Sequence, residues 1–354
     1  MNEPAPGPVL SVLDLAPVVQ GSTPADALRN SVELAQLAER RGFARLWVAE
    51  HHNMPGIASS SPPVLIAHLA AETSTLRVGA GGVMLPNHSS LVVAEQFGML
   101  EALHPGRIDL GIGRAPGTDA VTAAALRRTR QLGADEFPQQ LRDLFAYFEG
   151  THPQITAVPG RGYRPAVWML GSSDYSAQVA AALGLPFSFA HHFASQNTIP
   201  ALQLYREAFR PSADLDRPYA MIGVPVICAE TAERVRWLAG PSSLSFVRLR
   251  QGRPTPLPTP EEAAEYTFTP SERELLRHWT APLVLGDPDT VRDELLQLAA
   301  RTGADELMIT TMVHGAADRR RSYELVADAF DLAPNDGVLG TLRSDMSTAT
   351  CRER

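Results

Sequence analysis

"LRVGAGGVMLPNHSSLVVAEQFGMLEALHPGRIDLGIG", residues 76–113, decides the architecture. An apolar run at 76–85 reads as a strand, Leu91 to Leu103 carries apolar side chains at helical spacing, and RIDLGIG at 107–113 reads as a second strand. Two strands joined through a helix run parallel, and parallel strands are covered by helices on the outside.

The same alternation continues in both directions. Further strands are expected at 9–18, 45–50, 166–171, 187–193, 219–229 and 306–311. Helices are expected at Pro24–Arg41, Pro62–Thr73, Phe137–Phe148, Ser176–Leu183, Ile199–Phe209 and Thr290–Arg301. Gly42, Gly184 and Gly303 stand where helix ends call for glycine. Strand after strand, each followed by a helix, predicts an α/β fold of the (β/α)8 TIM barrel type, with a doubly wound sheet as the alternative.

Residues 1–333 are expected to form a single barrel domain, and 334–354, poor in large apolar residues, a flexible tail. The stretch from about 230 to 286, after strand seven, is too long for an ordinary connection. It includes RPTPLPTPEE, which is expected to form neither helix nor strand, and its position suggests a mobile lid over the barrel mouth.

Composition narrows the function. The net charge of −8 disfavours a nucleic-acid surface, and the arginine clusters Arg127, Arg128, Arg130 and Arg319–Arg321 read as solvated helix faces. There is no lysine, which removes a P-loop lysine, a pyridoxal Schiff base and the kinase lysine together. Cys228 and Cys351 match no zinc or redox spacing. With no signal-peptide pattern and no membrane-length apolar run, a cytoplasmic setting is expected, in which the sequon Asn87-His88-Ser89 is a chance match.

Barrel chemistry collects at the C-terminal strand ends. There Glu50, His51 and His52 close the run RLWVAEHH; adjacent residues of an extended chain point to opposite sides, so one histidine faces inward and the pair does not chelate one metal. The plainer reading is a hydrogen-bonded strand end. GIGRAPG at 111–117 has the wrong spacing for a dinucleotide fingerprint. Arg114 with Ser172, Ser173 and Ser176 before a helix suits a phosphate group, although helix N-capping accounts for one serine by itself. Gly81 and Gly82 suit either a β-bulge or a close backbone approach to a flat ligand.

The segments LWVAEHHN, RVGAGGVMLPN, EQFGMLEALHPGRIDLGIGRAPG and MLGSSDYSAQVAAALGLPF together resemble the bacterial luciferase-like, flavin-dependent monooxygenases, single-chain members above all. The resemblance runs over most of the chain. It implies reduced FMN as cofactor, O2 as co-substrate and a separate flavin reductase as partner. His51 matches the histidine that assists chemistry at the flavin, with Glu50 and His52 beside it. Gly81 and Gly82 match the small residues that form a non-proline cis peptide under the ring, and Arg114, Ser172, Ser173 and Ser176 match the phosphate site, where Ser172 departs from a carboxylate found in relatives. Some members tailor natural products in antibiotic pathways, so an aromatic polyketide is one expected substrate.

Two competing readings stay open: a flavin-binding protein without catalysis, and a deazaflavin-dependent oxidoreductase on the same barrel. A metal-dependent hydrolase ranks last, since the first strand lacks an HxH pair. His191 and His192, at the end of strand six, are candidates for ligand contact, at least one of them being a plain strand-end residue. Helix PPVLIAHLAAET is apolar on nearly every face, which predicts burial of it and of SLVVAEQFGMLEAL in a homodimer.

Overall fold

The computed structural model describes residues 7–115, 120–126 and 136–334. Among these residues nine strands form: β1 Val9–Asp14, β2 Arg45–Val48, β3 Arg77–Met84, β4 Ile108–Gly113, β5 Ala166–Gly171, β6 Phe187–Phe189, β7 Ala220–Cys228, β8 Val284–Gly286 and β9 Glu306–Thr310. All pair in parallel in the order β6-β5-β4-β3-β2-β1-β9-β7-β8, and a β6–β7 pairing closes the ring. The chain is therefore a closed eight-strand (β/α)8 barrel. The short β8 lies outside it, hydrogen-bonded to the far end of β7 at Val226–Cys228.

Buried both from within and beneath the helices, barrel strands carry apolar residues on both faces, which is why they read as continuous runs. Arg45, Leu46, Trp47 and Val48 are all buried. Helix starts follow local chemistry. Thr23 and Asp26 form a reciprocal cap on Pro24–Arg40, and Asp287 accepts from the Thr290 amide ahead of Pro288–Thr302.

Strand register stacks the barrel interior in layers. At the N-terminal end lie charged groups: Arg45 donates to Asp109 at 2.7 Å and to Glu306 at 2.8 Å, Arg77 also pairs with Asp109, and Tyr219 donates to Glu306 at 2.9 Å. Above them sit Leu13, Trp47, Trp168, Met221 and Met308, the two tryptophans edge-to-face with centroids 5.1 Å apart. Trp47 Nε1 reaches back to Asp109 at 2.9 Å, tying the layers together. Four strand positions near this layer carry no side chain: Gly81, Gly82, Gly111, in register with Trp168, and Gly223, in register with Met308. At Gly82 a side chain would meet the Gly111 carbonyl at 2.8 Å, so β3 and β4 approach closely only because both carry glycine there.

Several expectations need correction. β6 ends at Phe189, and His191 and His192 belong to a one-turn helix, His191–Ala194. Arg319 is not on a solvated face: it is buried and donates to Asp14 at 2.7 Å and to the Thr311 carbonyl at 3.0 Å. The segment after β7 is mostly ordered helix, at Ala232–Arg250, Pro260–Glu265 and Pro270–Thr280, and Pro260 of the proline-rich run opens a helix rather than preventing one. The middle of that segment is pinned to the loop after β1 by Leu257 N–H to Val18 O at 2.9 Å and Gln20 N–H to Leu257 O at 2.9 Å. Arg127, Arg128, Arg130, Cys351 and residues 335–354 lie outside the described residues. Among the described residues, no helix is long and apolar enough to cross a membrane.

Candidate active site

The residues expected at the site line the barrel mouth on consecutive strands: Glu50, His51 and His52 after β2, Gly81 and Gly82 on β3, Arg114 after β4, Ser172 and Ser173 after β5. Glu50 is enclosed, 1% exposed. Its Oε1 accepts from His52 Nε2 at 3.0 Å and from His88 Nε2 at 2.8 Å, and its Oε2 accepts from the Met84 amide at 3.0 Å. Burial pushes its carboxyl upward, yet the hydrogen bonds from His88, His52 and Met84 outweigh burial and hold it below the ordinary range. An ionised Glu50 thereby joins the EHH segment to the end of β3, and both imidazoles carry their proton on Nε2.

His88 escaped the sequence reading because it sat inside a chance glycosylation triplet. Glu50, a carboxylate directly after an apolar run, was the available signal that donors beyond its neighbour His52 were needed.

Half-buried His51 is held at the backbone, where its amide donates to the Ser59 carbonyl at 3.0 Å. It lies close enough to His192 for a charge on His51 to oppose protonation there. His52, by contrast, is engaged by Glu50 through its side chain.

The Gly81–Gly82 peptide is cis, and the ladder from β3 to β4 shifts register between Ala80 and Val83. The two expectations for this stretch, bulge and cis peptide, thus coincide in one turn.

Arg114 stacks on Tyr175, its guanidinium carbon 4.0 Å from the ring centroid. Tyr175 lies in the first turn of helix Asp174–Leu183. Ser173 occupies the N-cap position but its hydroxyl accepts no bond from the helix, and both it and Ser172 are exposed. Capping, the plainer account of these serines, therefore does not describe Ser173. Ser176 differs: it is 4% exposed and turned against the backbone at Gly171, beneath the loop. An uncapped helix start beside an arginine offers amide donors, hydroxyls and a positive dipole end, a donor set that fits a phosphate group.

The two histidines after β6 separate. His191 Nδ1 lies 2.8 Å from Thr198 Oγ1, while His192 Nδ1 lies 3.2 Å from the Gly223 carbonyl on β7. Burial above all drives both from 6.5 down to about 4; nearby Arg301 adds to this for His191, and His191 and His51 add to it for His192. The unfolded chain then binds protons at these positions before the folded one does, so stability is complete above pH 6.5 and falls as pH drops toward 4. The melting temperature should decline across that interval, and less steeply in a His191→Asn, His192→Asn double variant. Parallel profiles for the two proteins would show that these imidazoles do not titrate differently on folding.

Comparison with known proteins follows the same lines. A family model described as luciferase-like monooxygenase matches residues 10–306. A luciferase-like monooxygenase of Escherichia coli strain K12 is 47% identical over 320 residues, 90% of this chain and 96% of that protein. Among solved structures, apo-MsnO8 superposes with a TM-score of 0.86 at 42% identity, covering 93% of this chain and 99% of its own. The oxygenating constituent of 3,6-diketocamphane monooxygenase from Pseudomonas putida, a type II Baeyer-Villiger monooxygenase in complex with FMN, shares the fold at 18% identity. Its TM-score is 0.69, with coverage of 93% and 98%.

Proposed function

This chain belongs to the luciferase-like monooxygenase family, and from that premise we propose that it is the oxygenating component of a two-component system. A separate reductase supplies reduced FMN, and this chain uses it with O2 to oxygenate a small organic substrate. The observation that carries the FMN assignment is the exposed, uncapped helix start at Ser172 and Ser173 beside Arg114. When bound, reduced FMN supplies the electrons that activate O2.

The protein's part is to hold and to move protons. Arg114, Ser172, Ser173 and the first amides of helix Asp174–Leu183 would hold the phosphate, and the backbone at Gly81 and Gly82 would lie under the ring. Ser176 supports this loop from below. His51 serves as acid or base at the mouth, while Glu50, with His52 and His88 bound to one of its oxygens, fixes the segment that carries it. The deep apolar layer of Leu13, Trp47, Trp168, Met221 and Met308 excludes water from beneath the reacting groups.

An anaerobic titration with reduced FMN and reduced deazaflavin, side by side, tests the cofactor, and tighter binding of the deazaflavin would overturn the choice of FMN. Arg114→Ala should remove a charge-assisted contact worth ~1.5 to 3 kcal/mol, weakening FMN by roughly ten- to a hundredfold. Riboflavin, which lacks the phosphate, should lose much less. Equal losses for the two would leave Arg114 as a structural partner of Tyr175.

The homodimer reading draws support from apolar side chains that none of the described residues covers. Val64 is 69% exposed, Met99 52% and Leu103 65%, on helices Pro62–Ala71 and Ser90–Leu103. A C2 contact through these two helices would bury them. Sedimentation at micromolar concentration should give a dimer, and Leu103→Glu should give a monomer; wild-type protein sedimenting as a monomer would sink the idea.

A further inference from the structure

The position of His192 has a simple topological description. From β3 the ring of strands reaches β7 in four steps through β2, β1 and β9, and in four steps through β4, β5 and β6. β7 is thus diametrically opposite β3. Gly223 of β7 pairs in register with Met308, an interior residue, and so faces into the barrel. The His192 ring lies on it: a side chain at Gly223 would come within 2.6 Å of Nδ1 and 2.8 Å of Cε1. The imidazole therefore occupies the interior space that Gly223 vacates, across the mouth from Gly81 and Gly82.

Its hydrogen-bonding character is fixed as well. A carbonyl oxygen only accepts, so the contact with Gly223 O requires the proton on Nδ1. The neutral ring then presents Nε2 as an acceptor, and with its protonation driven down to about 4 it stays one at neutral pH. His191, one residue earlier, faces Thr198 instead and shares none of this.

We propose that His192 is a specificity-determining residue whose Nε2 accepts a hydrogen bond from a substrate hydroxyl, holding the substrate across the barrel mouth from Gly81 and Gly82. The assignment rests on the flavin reading above, which places the ring against those glycines and leaves the opposite wall to the substrate. Once a ligand covers it, an acceptor of this kind disfavours ligands that cannot donate to it, because the lone pair is then desolvated without return.

Phenol and its methyl ether anisole form a matched probe pair, differing in the donor. Protein carrying 15N-labelled histidine and saturated with FMN is titrated with each, following the His192 Nε2 resonance and the flavin absorbance. Phenol should shift the Nε2 resonance and bind about tenfold more tightly than anisole, a ratio of the size one buried hydrogen bond supplies. His192→Phe should abolish that preference without changing FMN affinity, His192→Gln should restore part of it, and Gly223→Ala, which displaces the ring, should act like His192→Phe.

Equal binding of the two probes, no binding of phenol, or an Nε2 resonance unmoved by phenol, each in the wild-type protein, would overturn the proposal. These outcomes with FMN still bound would leave the flavin reading intact. Failure of FMN to bind would overturn both.

Discussion

Replacing His51 with alanine should lower oxygenated product by ~10² to 10⁴ while leaving reduced-FMN affinity nearly unchanged, because the group removed handles protons and the phosphate grip lies elsewhere. Oxygen should still be consumed, since its reaction with reduced flavin needs no help from His51. Electrons that no longer reach the substrate should appear as hydrogen peroxide, so peroxide per flavin oxidised should rise as product falls. His52→Ala should do less. Glu50 would retain His88 and the Met84 amide as donors, and the segment bearing His51 would stay in place. Normal product yield from both variants would reduce the EHH segment to a hydrogen-bonded strand end.

The second large effect concerns stability. Arg45→Met should destabilise the barrel by about 3 to 5 kcal/mol, the usual cost of stranding buried charges. Arg45 is the shared partner of Asp109 and Glu306, which are both fully buried, and Arg77 remains only for Asp109. Urea unfolding at neutral pH measures the loss, and adding Glu306→Gln should recover part of it. A loss under about 1 kcal/mol would mean that water or a rearranged Tyr219 solvates Glu306 well enough to make the arginine dispensable.

The barrel was legible because its cause is local: eight apolar runs with helical patterns between them declare a parallel, helix-covered sheet wherever they occur. What stayed hidden depends on distant partners. Arg45 and Glu306 are 261 residues apart and Arg319 and Asp14 are 305 apart, so no window of sequence shows that these charges neutralise each other inside the protein. Arg319 read as surface for that reason. β8 is three residues long and pairs with the end of β7 that runs past β9. The proline-rich run misled in the opposite way: proline forbids a helix interior but suits its first turn, where Pro260 and Pro270 both stand. At the site, Glu50, Gly81, Gly82 and Arg114 announce themselves by residue type at strand ends. The partners that define their geometry, His88 and Tyr175, have no such signature.

The Glu50 carboxylate clamps two elements: its own segment through His52, and the end of β3 with the turn that follows it through the Met84 amide and His88. In mechanical terms the carboxylate is a strut between the glycine turn and the segment that carries His51, and neither should shift without loading the other. Half-exposed His88 sits at one end of that strut, where its ring resonances can act as a gauge, registering from outside the barrel whatever presses on the turn within.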